Sequence, residues 1–177
     1  RGKDIERSFP KEDPITEAIS AKGYDSNIQI PAIMAAYRTP SMKTRDSRVL
    51  DMISSYFSSG KSSILYKKLV DTKKMALQVG AINLSQEDYG TYILFGLPQG
   101  ETKLADIISE IDEEVLKMQT DLISEKAYQK LQNQFENNYV DSNSSVEGIA
   151  NSLARYNVLY GDTNLINTEI DIYRSIT

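Results

Sequence analysis

The sequence contains no cysteine, no histidine and no tryptophan. Without cysteine there is no disulfide, no thiolate metal site and no thiol nucleophile. Without histidine there is no Ser-His-Asp triad, no imidazole-ligated zinc and no imidazole acid or base near neutral pH. No apolar run approaches the roughly 20 residues that a membrane span needs. Basic residues are scattered and outnumbered, 20 Lys and Arg against 25 Asp and Glu, so the electrostatic footprint of a nucleic-acid binder is missing. The cysteine-free composition suits a bacterial periplasm or cell envelope as well as a cytoplasm, and does not choose between them.

What is present suits one globular domain: 177 residues, 40% of them hydrophobic, enough to bury roughly 70% of the extended-chain surface. The chain starts at Arg1 without a signal-peptide apolar core and reads as a piece of something longer. Residues 1–27 are polar and punctuated by Pro10, Pro14 and Gly23, which predicts a linker with a short strand over 15–20. Residues 28–177 are expected to form a single domain.

Residues 28–38 read as a strand apolar on both faces, closed by Thr39-Pro40, with Pro31 at its start or at a bulge because proline cannot donate to a ladder. Thr44 or Asp46 can cap a helix carrying Val49, Met52, Ile53, Tyr56 and Phe57, with Gly60 as its left-handed terminus. Ser62 or Ser63 then caps a short helix through Leu69. Strands over 77–84 and 90–97 follow, joined by the polar turn Ser85-Gln86-Glu87-Asp88-Tyr89. In the second strand Thr91, Ile93, Phe95 and Leu97 share one face, and Tyr92 and Leu94 the other.

Leu104, Ile107, Ile108, Ile111, Val115 and Met118 form a one-sided helical stripe, and burying six such side chains contributes roughly 9–18 kcal/mol before entropy. Ser124 caps a helix with Ala127, Tyr128, Leu131 and Phe135. Another stripe, Val146, Ile149, Ala150, Leu153, Tyr156 and Tyr160, runs to Gly161. Thr168 can cap a last helix. This order predicts an α+β fold, helices banked on one face of a mostly antiparallel sheet.

Three local features admit a chemical reading. Ser59-Gly60-Lys61-Ser62 is like the tail of a phosphate-binding loop, but that loop needs a glycine where Ser55 stands and a preceding strand, not a helix. Gly60 reads better as a helix terminus. Glu110, Glu113 and Glu114 fall within one helical turn and could face a hard cation, although carboxylates on an outer helix face are ordinarily solvated. The 11 tyrosines suit half-buried packing and contact surfaces alike.

The run Gly60-Lys61-Ser62-Ser63-Ile64-Leu65-Tyr66-Lys67-Lys68-Leu69, followed by Met75-Ala76-Leu77-Gln78-Val79, resembles the pitrilysin–insulinase–mitochondrial processing peptidase family of zinc metallopeptidases, whose corresponding pattern is G-x-x-S-x-L-x-x-x-L-R and then G-L-A-Y. Ala35-Ala36-Tyr37-Arg38-Thr39-Pro40 is similar to the strand that opens the family's second domain, and residues 145–177 to its closing helices. The resemblance implies repeated α+β domains arranged as a clamshell. One half holds zinc on an H-x-x-E-H helix; the other, metal-free, closes the chamber and helps to hold an extended peptide. The resemblance implies that this chain, lacking histidine, corresponds to the metal-free C-terminal half, with no catalytic residue or metal ligand of its own and zinc expected in the partner catalytic domain.

The family's substrate-facing Arg and Tyr correspond to Val70 and Leu77, neither of which donates a hydrogen bond. Lys73, Lys74 and Gln78 are then the candidate substrate-binding residues. The implied partners are a metal-bearing peptidase domain, in the same polypeptide or in a partner subunit, and an extended peptide; a homodimer is a further option. The alternative is a catalytically dead structural or assembly subunit without a role in proteolysis.

Overall fold

The computed structural model describes residues 13–177. Strand β1 (Ile33–Pro40) is followed by helix α1 (Arg45–Ser58), a π-helical turn (Tyr66–Thr72), the hairpin of β2 (Ala76–Leu84) and β3 (Tyr89–Pro98), and helix α2 (Leu104–Thr120). Helices α3 (Glu125–Ser142), α4 (Val146–Arg155) and α5 (Leu165–Arg174) complete it, with a second π-helical turn (Tyr156–Tyr160) continuing α4. The three strands form one antiparallel sheet in the order β1-β3-β2.

Helices cover one face of this sheet. Val79, Ala81, Tyr92 and Leu94 point into a core shared with Phe57 of α1, Leu65 and Leu69 of the π-turn region, and Ile107 and Ile111 of α2. Leu65, Leu69, Ile107 and Ile111 are fully buried. A smaller cluster joins Met52, Leu131 and Ile176, with Phe135 stacked on Tyr173 at 4.7 Å between centroids. The α+β class and the one-sided sheet expected from the sequence are what the chain adopts.

Several local expectations need correction. Of the linker expected over 1–27, residues 1–12 lie outside the described residues, and 13–27 run without helix or strand. The strand expected over 15–20 does not form, since its exposed side chains have no sheet neighbour, Ile15 being 62% and Ile19 90% exposed. β1 starts at Ile33 rather than 28, after the proline that cannot donate to the ladder. It is also an edge strand rather than one covered on both faces: Met34 and Tyr37 are half or more exposed.

Thr44 caps α1 as expected, its hydroxyl accepting from the Ser47 N–H at 3.2 Å. Neither Ser62 nor Ser63 caps the next segment through its side chain; among the described residues the buried Ser63 hydroxyl has no hydrogen-bond partner. Ser124 caps α3, but α5 starts at Leu165, ahead of Thr168. The α4 stripe is the largest departure: Val146 is 86% exposed and no residue of α4 is buried.

Candidate functional surface

Gly60 ends α1 in the left-handed region at φ 73°, which glycine alone enters without a Cβ penalty. A helix precedes it, so its amides do not form a phosphate cradle. Ser59 and Ser62 instead face α3, accepting hydrogen bonds from Gln134 and Lys130. Leu65 and Leu69, the two leucines of the run, fill the core completely.

The chain then widens. Lys73 N–H bonds the Lys68 carbonyl and Met75 N–H the Leu69 carbonyl, each at 2.9 Å. These longer-than-α spans close the π-helical turn. Lys74 follows at φ 55°, the one described non-glycine residue in the left-handed region. A bulge between Ala76 and Gln78 starts β2.

The turn is tied to α2 by charge. Lys68 Nζ lies 2.7 Å from Glu114 Oε1, 2.9 Å from Glu113 Oε2 and 3.0 Å from Glu110 Oε2. Lys73 also pairs with Glu110, and Lys117 with Glu113 and Glu114. Hydrogen bonds from Lys117 and Lys68 bring the Glu113 carboxyl down to about 2. Burial pushes Glu114 up, but Lys68 and Lys117 outweigh it and its pKa falls below the usual value. All three glutamates pair with lysines; Glu114 is buried at 8% exposure, whereas Glu113 stays on the solvated face, its side chain 51% exposed. Among the described residues no group of three or more carboxylates is placed to hold a metal ion.

The residues singled out in the sequence thus have different fates. Lys73 is engaged by Glu110, Lys74 sits at the strained bend, and Gln78 is exposed on β2 opposite Leu97. The structure does not bring the three into one cluster with a shared partner. Val70 packs half-buried against the core, and Leu77 is 50% exposed.

Two features escaped the sequence. One is the uncovered face of the sheet. Register puts Met34 beside Phe95 and Ile82 beside Ile93, with Leu84 beside Thr91 and Gln78 beside Leu97. Met34 is 66%, Ile82 43% and Leu84 47% exposed; Ile93, Phe95 and Leu97 are half-buried. The alternation along β3 was readable as two apolar faces, but only pairing shows which one the helices leave open. The other is a polar cluster between α1, β2 and α5. Arg48, 5% exposed, pairs with Glu169 at 3.4 Å; Tyr156 donates to Glu169, and Tyr173 donates to Asp51 at 3.0 Å. Asn83 donates to Asp51 at 2.8 Å. Burial raises the Asp51 carboxyl above its usual range, opposed by the bonds from Asn83 and Tyr173. Arg48 and Glu169 are 121 residues apart, so no local pattern announces them.

The chain is thus a three-stranded antiparallel sheet covered by helices on one face, with the G-x-x-S-x-L-x-x-x-L run between α1 and β2 supplying two fully buried leucines. The family model described as the Peptidase M16 inactive domain matches residues 3–135, and the chain belongs to that family. It is 25% identical over 147 residues to the zinc protease PqqE of Helicobacter pylori, covering 83% of this chain and 32% of that protein. It therefore spans about a third of the length of this curated relative. A Helicobacter pylori protease structure superposes with a TM-score of 0.78 at 20% identity, over 86% of this chain and 37% of that one. The inactive peptidase domain of a Bordetella parapertussis protein gives 0.72 at 18% identity, over 82% and 79%.

Proposed function

We propose that this chain is the metal-free half of a zinc peptidase, closing the chamber against a metal-bearing domain and contacting extended peptide, with no chemistry of its own. The observation that carries the reading is the open apolar sheet face of Met34, Ile82, Leu84, Ile93, Phe95 and Leu97. Contiguous apolar surface of this kind marks a site of association, and the family supplies the occupant: the metal-bearing domain, in the same polypeptide or a partner subunit. Both β1 and β2 are sheet edges, to which an extended peptide can add as a further strand. Lys74 and Gln78 lie beside the start of β2 and are the candidate contacts there; Lys73 reaches a peptide only by giving up Glu110.

The test places a charge on the open face. Met34→Asp and Ile82→Asp are expected to abolish the effect of this half on zinc-dependent cleavage of a flexible peptide, while the fold survives because both side chains are already exposed. If cleavage is unchanged although the charges are in place, the face does not dock the metal-bearing domain. The apolar Val70 and Leu77 favour a second reading, an assembly subunit without substrate contact; it requires docking to persist while peptide affinity is nil.

A further inference from the structure

We propose that the cleft between α1, the β2–β3 turn and the end of α4 is a binding site for the C-terminal carboxylate of a peptide. The cleft has a volume of about 450 Å³. Most of its floor is internally paired: Glu169 is held by Arg48 and Tyr156, Asp51 by Asn83 and Tyr173, and Ser47 is bonded to Ser85 at 2.8 Å, while the Arg48 Nε–H and the Asn83 Oδ1 are buried without a hydrogen-bond partner among the described residues. Its carboxylates are thus spoken for, and what the floor leaves open is one buried donor and one buried acceptor.

The rim is different. Arg155, Tyr160 and Gln86 line the same cleft. Among the described residues Arg155 makes no ion pair, and neither the Tyr160 hydroxyl nor the Gln86 carboxamide makes a hydrogen bond. Tyr160 is set in place by its ring, edge-on to Tyr156 at 5.9 Å and under the Arg48 guanidinium at 5.6 Å. Burial raises its pKa, so the hydroxyl stays a donor at neutral pH. A guanidinium and a phenol are both donors, and a carboxylate accepts from both. Gln86, with one acceptor and two donors, matches the last peptide unit beside that carboxylate. The floor's own carboxylates are taken by Arg48, Asn83 and the two tyrosines, which leaves Arg155 as the uncommitted charge and selects an anion rather than a cation.

Only the choice of a peptide as ligand rests on the function proposed above. The test is fluorescence anisotropy of a labelled flexible pentapeptide, as free acid and as C-terminal amide, with the full-length protein that carries this chain. The free acid is expected to bind up to about tenfold more tightly than the amide, the low end of a hydrogen bond to a charged group because Arg155 is exposed. Arg155→Gln should erase that preference and Tyr160→Phe reduce it severalfold, with thermal midpoints unchanged. Equal binding of acid and amide, or a preference that survives Arg155→Gln, overturns the site. In the wild-type protein, absence of the preference with sheet-face docking intact refutes this cleft alone; failed docking with the preference intact refutes the docking reading alone.

Discussion

Replacing Lys68 by Met removes the charge that joins the π-helical turn to α2 while keeping most of the apolar stem. The contacts that count are the hydrogen bond to Glu114 Oε1 at 2.7 Å and the weaker ion pair with Glu110 Oε2 at 3.0 Å, whose side chains are 9% and 19% exposed. A hydrogen bond to a charged group is worth about 1.5–3 kcal/mol. The contact to the exposed Glu113 is screened and left out. Lys117 and Lys73 remain to neutralise Glu114 and Glu110, so the loss falls toward the lower end, about 2–4 kcal/mol in all. For a chain of this length that lowers the melting midpoint by about 5–15 °C.

The effect has a pH signature. The folded-state pKa values of Glu110, Glu113 and Glu114 lie below the ordinary 4.5, Glu113 at about 2. Groups depressed on folding contribute stability that is complete above the unfolded value and is lost as pH falls through the folded one. The gap between wild type and Lys68→Met is therefore full near neutral pH and narrows as pH falls from 4.5 toward 2. Thermal melts by circular dichroism across this range are the assay. A gap below about 1 °C at neutral pH, or one that does not shrink on acidification, refutes the assignment of Lys68 as the tie.

Two further substitutions test the backbone and the core. Lys74→Gly relieves a side chain held at φ 55° and is expected to raise stability by about 0.5–1 kcal/mol despite glycine's greater unfolded-state entropy, seen as a higher midpoint in denaturant. Gly96→Ala sets a Cβ 2.5 Å from the Cγ2 of the fully buried Ile107; the overpacking should cost about 1–3 kcal/mol in the same titration.

How far the sequence could be read depended on whether the determining contacts were local. The α2 stripe was legible because Ile107 and Ile111 repeat at helical spacing and meet a sheet that any one-sided helix must find. The caps at Thr44 and Ser124 were legible because a hydroxyl bonds an amide three residues on. The π-helical turn was not, since its wide closure lies in backbone bonds from Lys73 to Lys68 and from Met75 to Leu69 that no side-chain periodicity announces. Nor was the fate of the glutamate trio, which looks like solvated surface until the turn delivers lysines to it. Helical spacing also promised that α4 would bury its stripe, but periodicity shows that a face is apolar and not that something covers it. For the same reason the strand over 28–38 looked doubly buried when one of its faces is open. Absence of histidine, by contrast, spoke directly to chemistry, because no arrangement in space can supply a missing imidazole.

On the function proposed above, this domain acts through contact and shape on a metal centre held by another domain. The most direct measurement is the rate of zinc-dependent cleavage of a flexible peptide by the metal-bearing domain, titrated with this chain in wild-type and Ile82→Asp forms. A saturable rise with the wild-type chain and none with the variant is the predicted result. A metal-bearing domain that cleaves equally well with neither present contradicts the account.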